Sequence, residues 1–388
     1  MGRLVFFICM TRCVARSRPR GPLGWCGGLL IAATGLAAQT PRSDLGPGIG
    51  IWDTTLNLNA GVGYKDNILL GPVATERSGF FASGLDFSVM RLPLDGTRFL
   101  AFVTGSDQRY FSSEQVEAEQ TLIAYTQLKR DFGGVWQAGM TGQYAYLDQV
   151  LDATDMEGNF GIVQAQGHSL IARPSLRRNL PGDRRLELEF TVCRQYLKRP
   201  LDDYWEGGPK LTFGQALRRQ SEWTVSFELN RRVYDHRATT TAEGVAIGGA
   251  SLCFLQPKCE LIWQQHWDEK RHWRTTTRLG YLHNFDNSSG FYDYTRCQIA
   301  EQVRYRAEPW EVRGQIRYAF YEYSSQPVSL QEPAPVRRTD LDLDLRVERR
   351  ISRALKAFAE YEHERSLSNQ SFADYAANTG TVGIDWEF

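Results

Sequence analysis

From Trp52 to the last residue the chain repeats one rhythm. Runs of about ten to fifteen residues alternate apolar with polar side chains, and each run ends at a connector. In 338–350, Thr339, Leu341, Leu343, Leu345 and Val347 share one face, while Asp340, Asp342, Asp344, Arg346 and Glu348 share the other. In 185–194, Leu186, Leu188, Phe190 and Val192 oppose Glu187, Glu189, Thr191 and Cys193. A helix would scatter these charges over its whole surface, whereas a strand separates them by face. The pattern predicts about sixteen strands, near 52–64, 79–91, 97–111, 118–131, 134–148, 165–178, 184–198, 207–219, 221–235, 250–267, 272–286, 292–306, 310–323, 337–350, 354–366 and 376–388.

Tight-turn residues follow every second strand, as in Pro93-Leu94-Asp95-Gly96, Gly133-Gly134, Pro181-Gly182-Asp183 and Ala307-Glu308-Pro309. The intervening connectors 65–78, 149–164, 236–249 and 324–336 are longer. Short turns at one end and long loops at the other is the asymmetry of an outer-membrane barrel. The expected fold is all-β: a transmembrane antiparallel up-and-down β-barrel over 52–388, of about 16 strands within a range of roughly 14–18. Its apolar face meets lipid and its polar face meets the lumen, and an even count puts both termini on the periplasmic side.

Aromatic placement adds a second line. Trp52, Trp136, Trp223, Trp273 and Trp310 start strands that leave the turn side, and Trp267 and Trp386 end strands that return to it. All seven share parity with the apolar face of their strand. Tyr64, Tyr110, Tyr144, Tyr146, Tyr196, Tyr234, Tyr321 and Tyr323 crowd the opposite ends. Rings at both rims predict aromatic girdles against lipid. Composition agrees, with 12% aromatic residues beside a mean hydropathy of −0.41. Lys+Arg and Asp+Glu balance at 45 each. No global field recruits nucleic acid, and no nucleic-acid motif is visible.

Ahead of the barrel, the apolar stretch 21–38 follows Arg12, Arg16, Arg18 and Arg20 and ends in Gly35-Leu36-Ala37-Ala38-Gln39. That order predicts a signal peptide over 1–38, with Met10 as an alternative start, then a short periplasmic segment 39–51. Of the seven cysteines, Cys9, Cys13 and Cys26 fall in the signal. Cys193, Cys253, Cys259 and Cys297 remain, without CxxC or zinc spacing, and are expected as single small apolar residues rather than disulfides.

The chain ends with Val382, Ile384, Trp386 and Phe388 on one face. This looks like the C-terminal signal that the barrel-assembly machinery reads. Residues 50–388 resemble β-barrel porin-like proteins of the Gram-negative outer membrane. The segment Gly61-Val62-Gly63-Tyr64-Lys65-Asp66-Asn67-Ile68 resembles the "GYxDN" element that opens the barrel in one such group, with Lys65 where an acidic or small residue is common. The resemblance implies an outer-membrane setting among lipid and lipopolysaccharide. It also implies, for that group, company with polysaccharide export or surface assembly. A homo-trimer is common for barrels of this size by analogy.

Candidate chemistry changes the picture little. His168, His236, His266, His272, His283 and His363 are dispersed. A lipid-acting enzyme would need an outward serine with a base beside it. His168 and Ser169 are adjacent and so point to opposite faces, while His283 lies near Ser288 and Ser289 of the next loop. Asp152, Asp155, Glu157 and Asn159 offer oxygen ligands without the spacing of a calcium loop, as do Asp202, Asp203 and Glu206. Solvated acidic loops are expected at both places, with no metal or cofactor. The lumen carries more information. Arg296, Arg304 and Arg306 share the inward face of one strand, Arg313, Gln315 and Arg317 that of the next, and Asp340, Asp342 and Asp344 that of the one after. Opposed rows of charge across or along the wall predict a transverse field on a pore-lining surface. A barrel of ~16 strands encloses an aqueous channel. The expected function is passage of small hydrophilic solutes or oligosaccharides, with the loop 149–164 as constriction. A barrel for exopolysaccharide export or surface assembly with partner proteins is the alternative, and a lipid-modifying enzyme the third.

Overall fold

A computed structural model describes residues 52–388 apart from 73–74, 92, 94, 159–160, 218–219, 242–244 and 330–332. The expected signal peptide 1–38 with Met10, the segment 39–51, and Cys9, Cys13 and Cys26 lie outside the described residues. The strands are β1 (Trp52–Lys65), β2 (Ser78–Arg91), β3 (Thr97–Tyr110), β4 (Ala118–Phe132), β5 (Trp136–Asp152), β6 (Ile162–Leu180), β7 (Arg184–Leu197), β8 (Tyr204–Leu217), β9 (Ser221–Thr240), β10 (Ala246–His266), β11 (Trp273–Asp286), β12 (Tyr294–Ala307), β13 (Trp310–Pro327), β14 (Pro335–Arg350), β15 (Leu355–Ser368) and β16 (Tyr375–Glu387). They close into one barrel in which each strand bonds its chain neighbours and β1 bonds β16. Every pairing is antiparallel, as hairpin connections require.

Register fixes the faces. Ile316 lies opposite Leu343, and Arg317 opposite Asp342. The first pair is exposed on the outside, as are Leu345, Tyr318, Val382 and Ile384, while the second faces inward. An outward apolar belt on a closed sheet satisfies every backbone group and meets hydrocarbon, so this is a membrane-spanning barrel of the outer-membrane type. The turn Gly133-Gly134 illustrates the tight end. Both residues have positive φ, 58° and 74°, in the three-residue connection 133–135 between the paired Phe132 and Trp136, and glycine adopts such angles without strain.

At the loop end the strands outrun the sequence pattern. β5 continues to Asp152 and β6 starts at Ile162, so the expected loop 149–164 shrinks to 153–161 and holds a single helical turn, α1 (Thr154–Glu157). Alternation fades here because neighbouring residues are all buried, with Val150 at 0% and Leu151 at 1% exposure, while pairing persists as Val150 opposite Gln164. Buried hydrophobic clusters fill this end. One joins Ile68, Leu70, Phe80, Tyr110, Val116 and Val150. Another joins Tyr204, Tyr234, Leu252, Phe254 and Tyr292. A third joins Leu282, Tyr294, Tyr321 and Tyr323. This corrects two expectations. Tyr110, Tyr234, Tyr321 and Tyr323 belong to inward cores rather than to a lipid girdle, because their parity is that of the lumen. The lumen is also not water-filled along its whole length, since inward tyrosines and infolded loops pack its loop-end part as a protein core.

Candidate functional site

The inner wall is sorted by charge. On β11 and β12, Arg274, Arg278, Arg296, Arg304 and Arg306 share the inward register with the uncharged Thr276, Gln298 and Gln302. Arg274 and Arg278 have no carboxylate at ion-pair distance among the described residues. On β14 and β15, Asp340, Asp342, Asp344, Glu360, Glu362 and Glu364 form the facing rows of one acidic patch. β13 stands between, bearing Arg313, Gln315 and Arg317. The predicted rows thus run side by side along one stretch of wall, not across the lumen, and they pair at the seam. Arg317 binds Asp342, Arg304 binds Glu311, and Arg313 lies 3.9 Å from Glu360. Arg306 lies 3.4 Å from the same Glu311. A cavity of about 200 Å³ opens over the acidic patch, lined by Gln315, Arg317, Asp340, Asp342, Glu362 and Glu364.

Its roof is the tip of the β5–β6 hairpin, which leaves the wall and reaches over the lumen. Asp152 and Thr154 meet Arg338 on β14, far around the barrel. The guanidinium is almost fully buried. Nη1 donates to Thr154 Oγ1 at 2.6 Å, Nη2 to Asp152 and to Asp340 Oδ2 at 2.7 Å, and Nε to Asp340 Oδ1 at 2.7 Å and Ser366 Oγ at 2.9 Å. On another side the tip is seated between β9 and β10. The Met156 carbonyl accepts from Arg232 Nη1 at 3.1 Å and from the Tyr234 hydroxyl, and Glu157 takes Arg237 Nη1 at 2.5 Å. Arg232 also binds Glu206 at 2.6 Å and lies over the Tyr204 ring at 4.6 Å. Gly158 ends the helical turn with φ 73°, and a Cβ there would fall 2.8 Å from Phe254. The tip is therefore a strap, tied at a buried ionic clamp on one wall and at a ring-lined seat on the other.

The sequence map does not show this clamp. Asp152 and Glu157 are neutralised by arginines, not solvated, and Asp152 retains 7% exposure. Asn159 and the side chain of Asp155 lie outside the described residues. The second acidic loop behaves likewise. Asp202 accepts the His236 and Arg237 amides, Asp203 accepts the Leu197 amide, and Glu206 holds Arg232. Arg232 and Arg338, which fix the strap, carry no local sequence signal because their strap partners Met156 and Asp152 lie 76 and 186 residues away.

The "GYxDN"-like segment acts at the barrel seam. Gly63 lets Phe80 approach, since a Cβ would fall 2.3 Å from its ring. Asp66 accepts the Asn378 amide at 2.7 Å and its side-chain nitrogen at 2.6 Å. Asn67 donates to the Ala376 carbonyl and to that of Gly71, each at 2.9 Å. Lys65 reaches Glu119 at 3.4 Å. The segment clasps the first strand to the last.

The predicted rim tryptophans all lie outward at the turn end. Trp136 and Trp310 carry Arg178 and Arg349 over their rings at 5.2 and 5.3 Å. Trp52 meets Phe99, Trp223 meets Phe213, and Trp273 meets Tyr305. Trp267 donates to Thr275, and Trp386 stacks on Phe388 at 5.4 Å. Val382 and Ile384 continue that outward face. Among the described residues no histidine has a serine partner. His168 bonds Tyr144 on the outside while Ser169 turns inward to Cys193, and Ser288 and Ser289 donate to the Thr240 carbonyl. The four described cysteines are unbridged.

No family model and no curated protein matches the chain. Solved barrels resemble it. OccK9 (OpdG) of Pseudomonas aeruginosa aligns with TM-score 0.48 and 9% identity over 87% of this chain and 98% of its own. An anion-selective porin from Comamonas acidovorans aligns with TM-score 0.43 and 11% identity over 87% and 99%. A bacterial polysaccharide outer membrane secretin gives TM-score 0.42 and 10% identity over 86% and 97%. At these values the likeness is silent on what this barrel carries.

Proposed function

We propose that the chain is an outer-membrane channel for small hydrophilic solutes, with its turns in the periplasm and its strap near the outer mouth. The sorted inner wall supports this reading. A basic stretch on β11–β13 abuts an acidic one on β14–β15, and a cavity lies at the boundary. Such a wall produces a field along its circumference, which orients a solute carrying both charges and gives it a paired place to rest. A structural barrel has no need of buried charge sorted in this way. On this reading the chain is a conduit and not an enzyme, and Val382, Ile384, Trp386 and Phe388 form the edge that the assembly machinery engages.

Purified protein in planar bilayers tests the reading. Discrete conductance steps are expected, and liposome swelling should be faster with a zwitterionic amino acid than with a neutral sugar of equal size. Absence of steps both in the native chain and in a chain whose 151–163 tip is replaced by a short turn overturns the channel and favours the export or assembly role.

A further inference from the structure

The strap raises a question that the channel reading leaves open: what decides how large a solute can pass. We propose that the Arg338–Asp152 contact sets that limit; the inference rests on the channel reading. Three observations converge on this pair.

First, the contact forms the roof of the cavity. Leu70, Leu151, Asp152 and Arg338 line its upper side, and the acidic patch its floor. Parting Asp152 from Arg338 joins that space to the outer mouth without disturbing the barrel wall. Second, the strap is held unequally. At β9–β10 it is seated by its Met156 carbonyl, two arginines, and the Phe254 ring and Tyr292 Cβ beside Gly158. At β14 one guanidinium holds both Asp152 and Thr154. The clamp concentrates attachment in a single side chain, so one change releases that end and leaves the other in place. Third, Arg338 keeps partners when the strap leaves. Asp340 and Ser366 remain on its own wall. Release therefore does not strand a buried charge, which is what makes an ionic clamp openable.

The strap side facing β14 is thus the side that yields. When it yields, the widened passage runs along the boundary between basic and acidic walls. Arg338 is a residue that determines specificity by positioning the strap.

The experiment uses the full chain with D152R, D152N and the exchanged pair D152R/R338D. Native-like barrel folding is first confirmed by heat-modifiable migration. D152R is expected to raise single-channel conductance by about twofold or more and to admit larger sugars in liposome swelling. D152N should fall between, and the exchanged pair should return towards the native value. A second readout does not depend on the exchange folding well. Ala153 is 0% exposed, so an A153C thiol should react slowly with a membrane-impermeant maleimide, over the background of the native thiols. It should react roughly tenfold faster when D152R is added, as for a locally opened segment. Unchanged conductance and unchanged labelling in folded D152R overturn the proposal. If replacing the 151–163 tip raises conductance and D152R does not, the clamp is wrong and the channel stands. If neither chain conducts, the channel reading itself falls.

Discussion

The two ends of this barrel are built from one alternating pattern and hold together differently. At the turn end one inner pair reaches solvent. Arg306 is 45% exposed and meets Glu311 at 3.4 Å. At the loop end the charges are enclosed. Arg232 is 9% exposed and meets Glu206 at 2.6 Å beneath the Tyr204 ring. Exposed pairs are worth little because water and salt screen them, whereas an enclosed charge must keep its partner. The loop end thus behaves as a small globular core inserted into the tube.

The sharpest way to break this contrast is to remove one arginine from each end. R232A leaves Glu206 enclosed and removes a donor from the Met156 carbonyl. It should lower unfolding stability by about 3–5 kcal/mol, read as a fall in the urea midpoint or in the temperature of the mobility shift. R306A should change stability by less than about 1 kcal/mol. Equal effects would show that the loop end is not the dry core described above.

A smaller effect is expected where β1 meets β16. Asp66 takes two hydrogen bonds from Asn378, across the seam that closes the sheet. D66A should cost about 1–3 kcal/mol, since it leaves Asn378 with unmet donors. The loss should show mainly as faster unfolding rather than altered conductance, because the strap is not touched. A D66A barrel as stable as the native chain would mean that closure depends on the strand ladder alone.

The contrast between the ends also explains what the sequence conveyed. Period-2 alternation is a statement about lipid on one side and something polar on the other, so it is strong wherever both hold. It placed the strands and put Arg313, Arg317, Asp340, Asp342 and Asp344 on one face and the rim tryptophans on the other. It faded over 149–152, where both faces are buried. Tyr321 and Tyr323 were readable from parity, since they continue the series of Arg317 and Ala319, but position near a rim suggested lipid. Arg338 was not readable at all. Its partners Asp152 and Thr154 lie 186 and 184 residues away, and no local pattern carries a contact made by one hairpin tip bending over the lumen.

The mildest test concerns pH, and it bears on whether the seat of the strap is dry. Burial pushes the Glu157 carboxyl above its usual value of 4.5, while Arg237 and Arg232 pull it partly back. A carboxyl with a raised folded value binds its proton more tightly when the strap is seated. Its contribution is therefore fully present below the unfolded value and is lost as pH climbs through the folded one. Seating should thus weaken gradually as pH rises above 4.5, visible as faster labelling of the A153C thiol after correction for thiolate content. E157Q should flatten that dependence, because glutamine keeps the shape and cannot titrate. A slope of opposite sign would mean that the Arg237 contact outweighs burial, and that water reaches the seat.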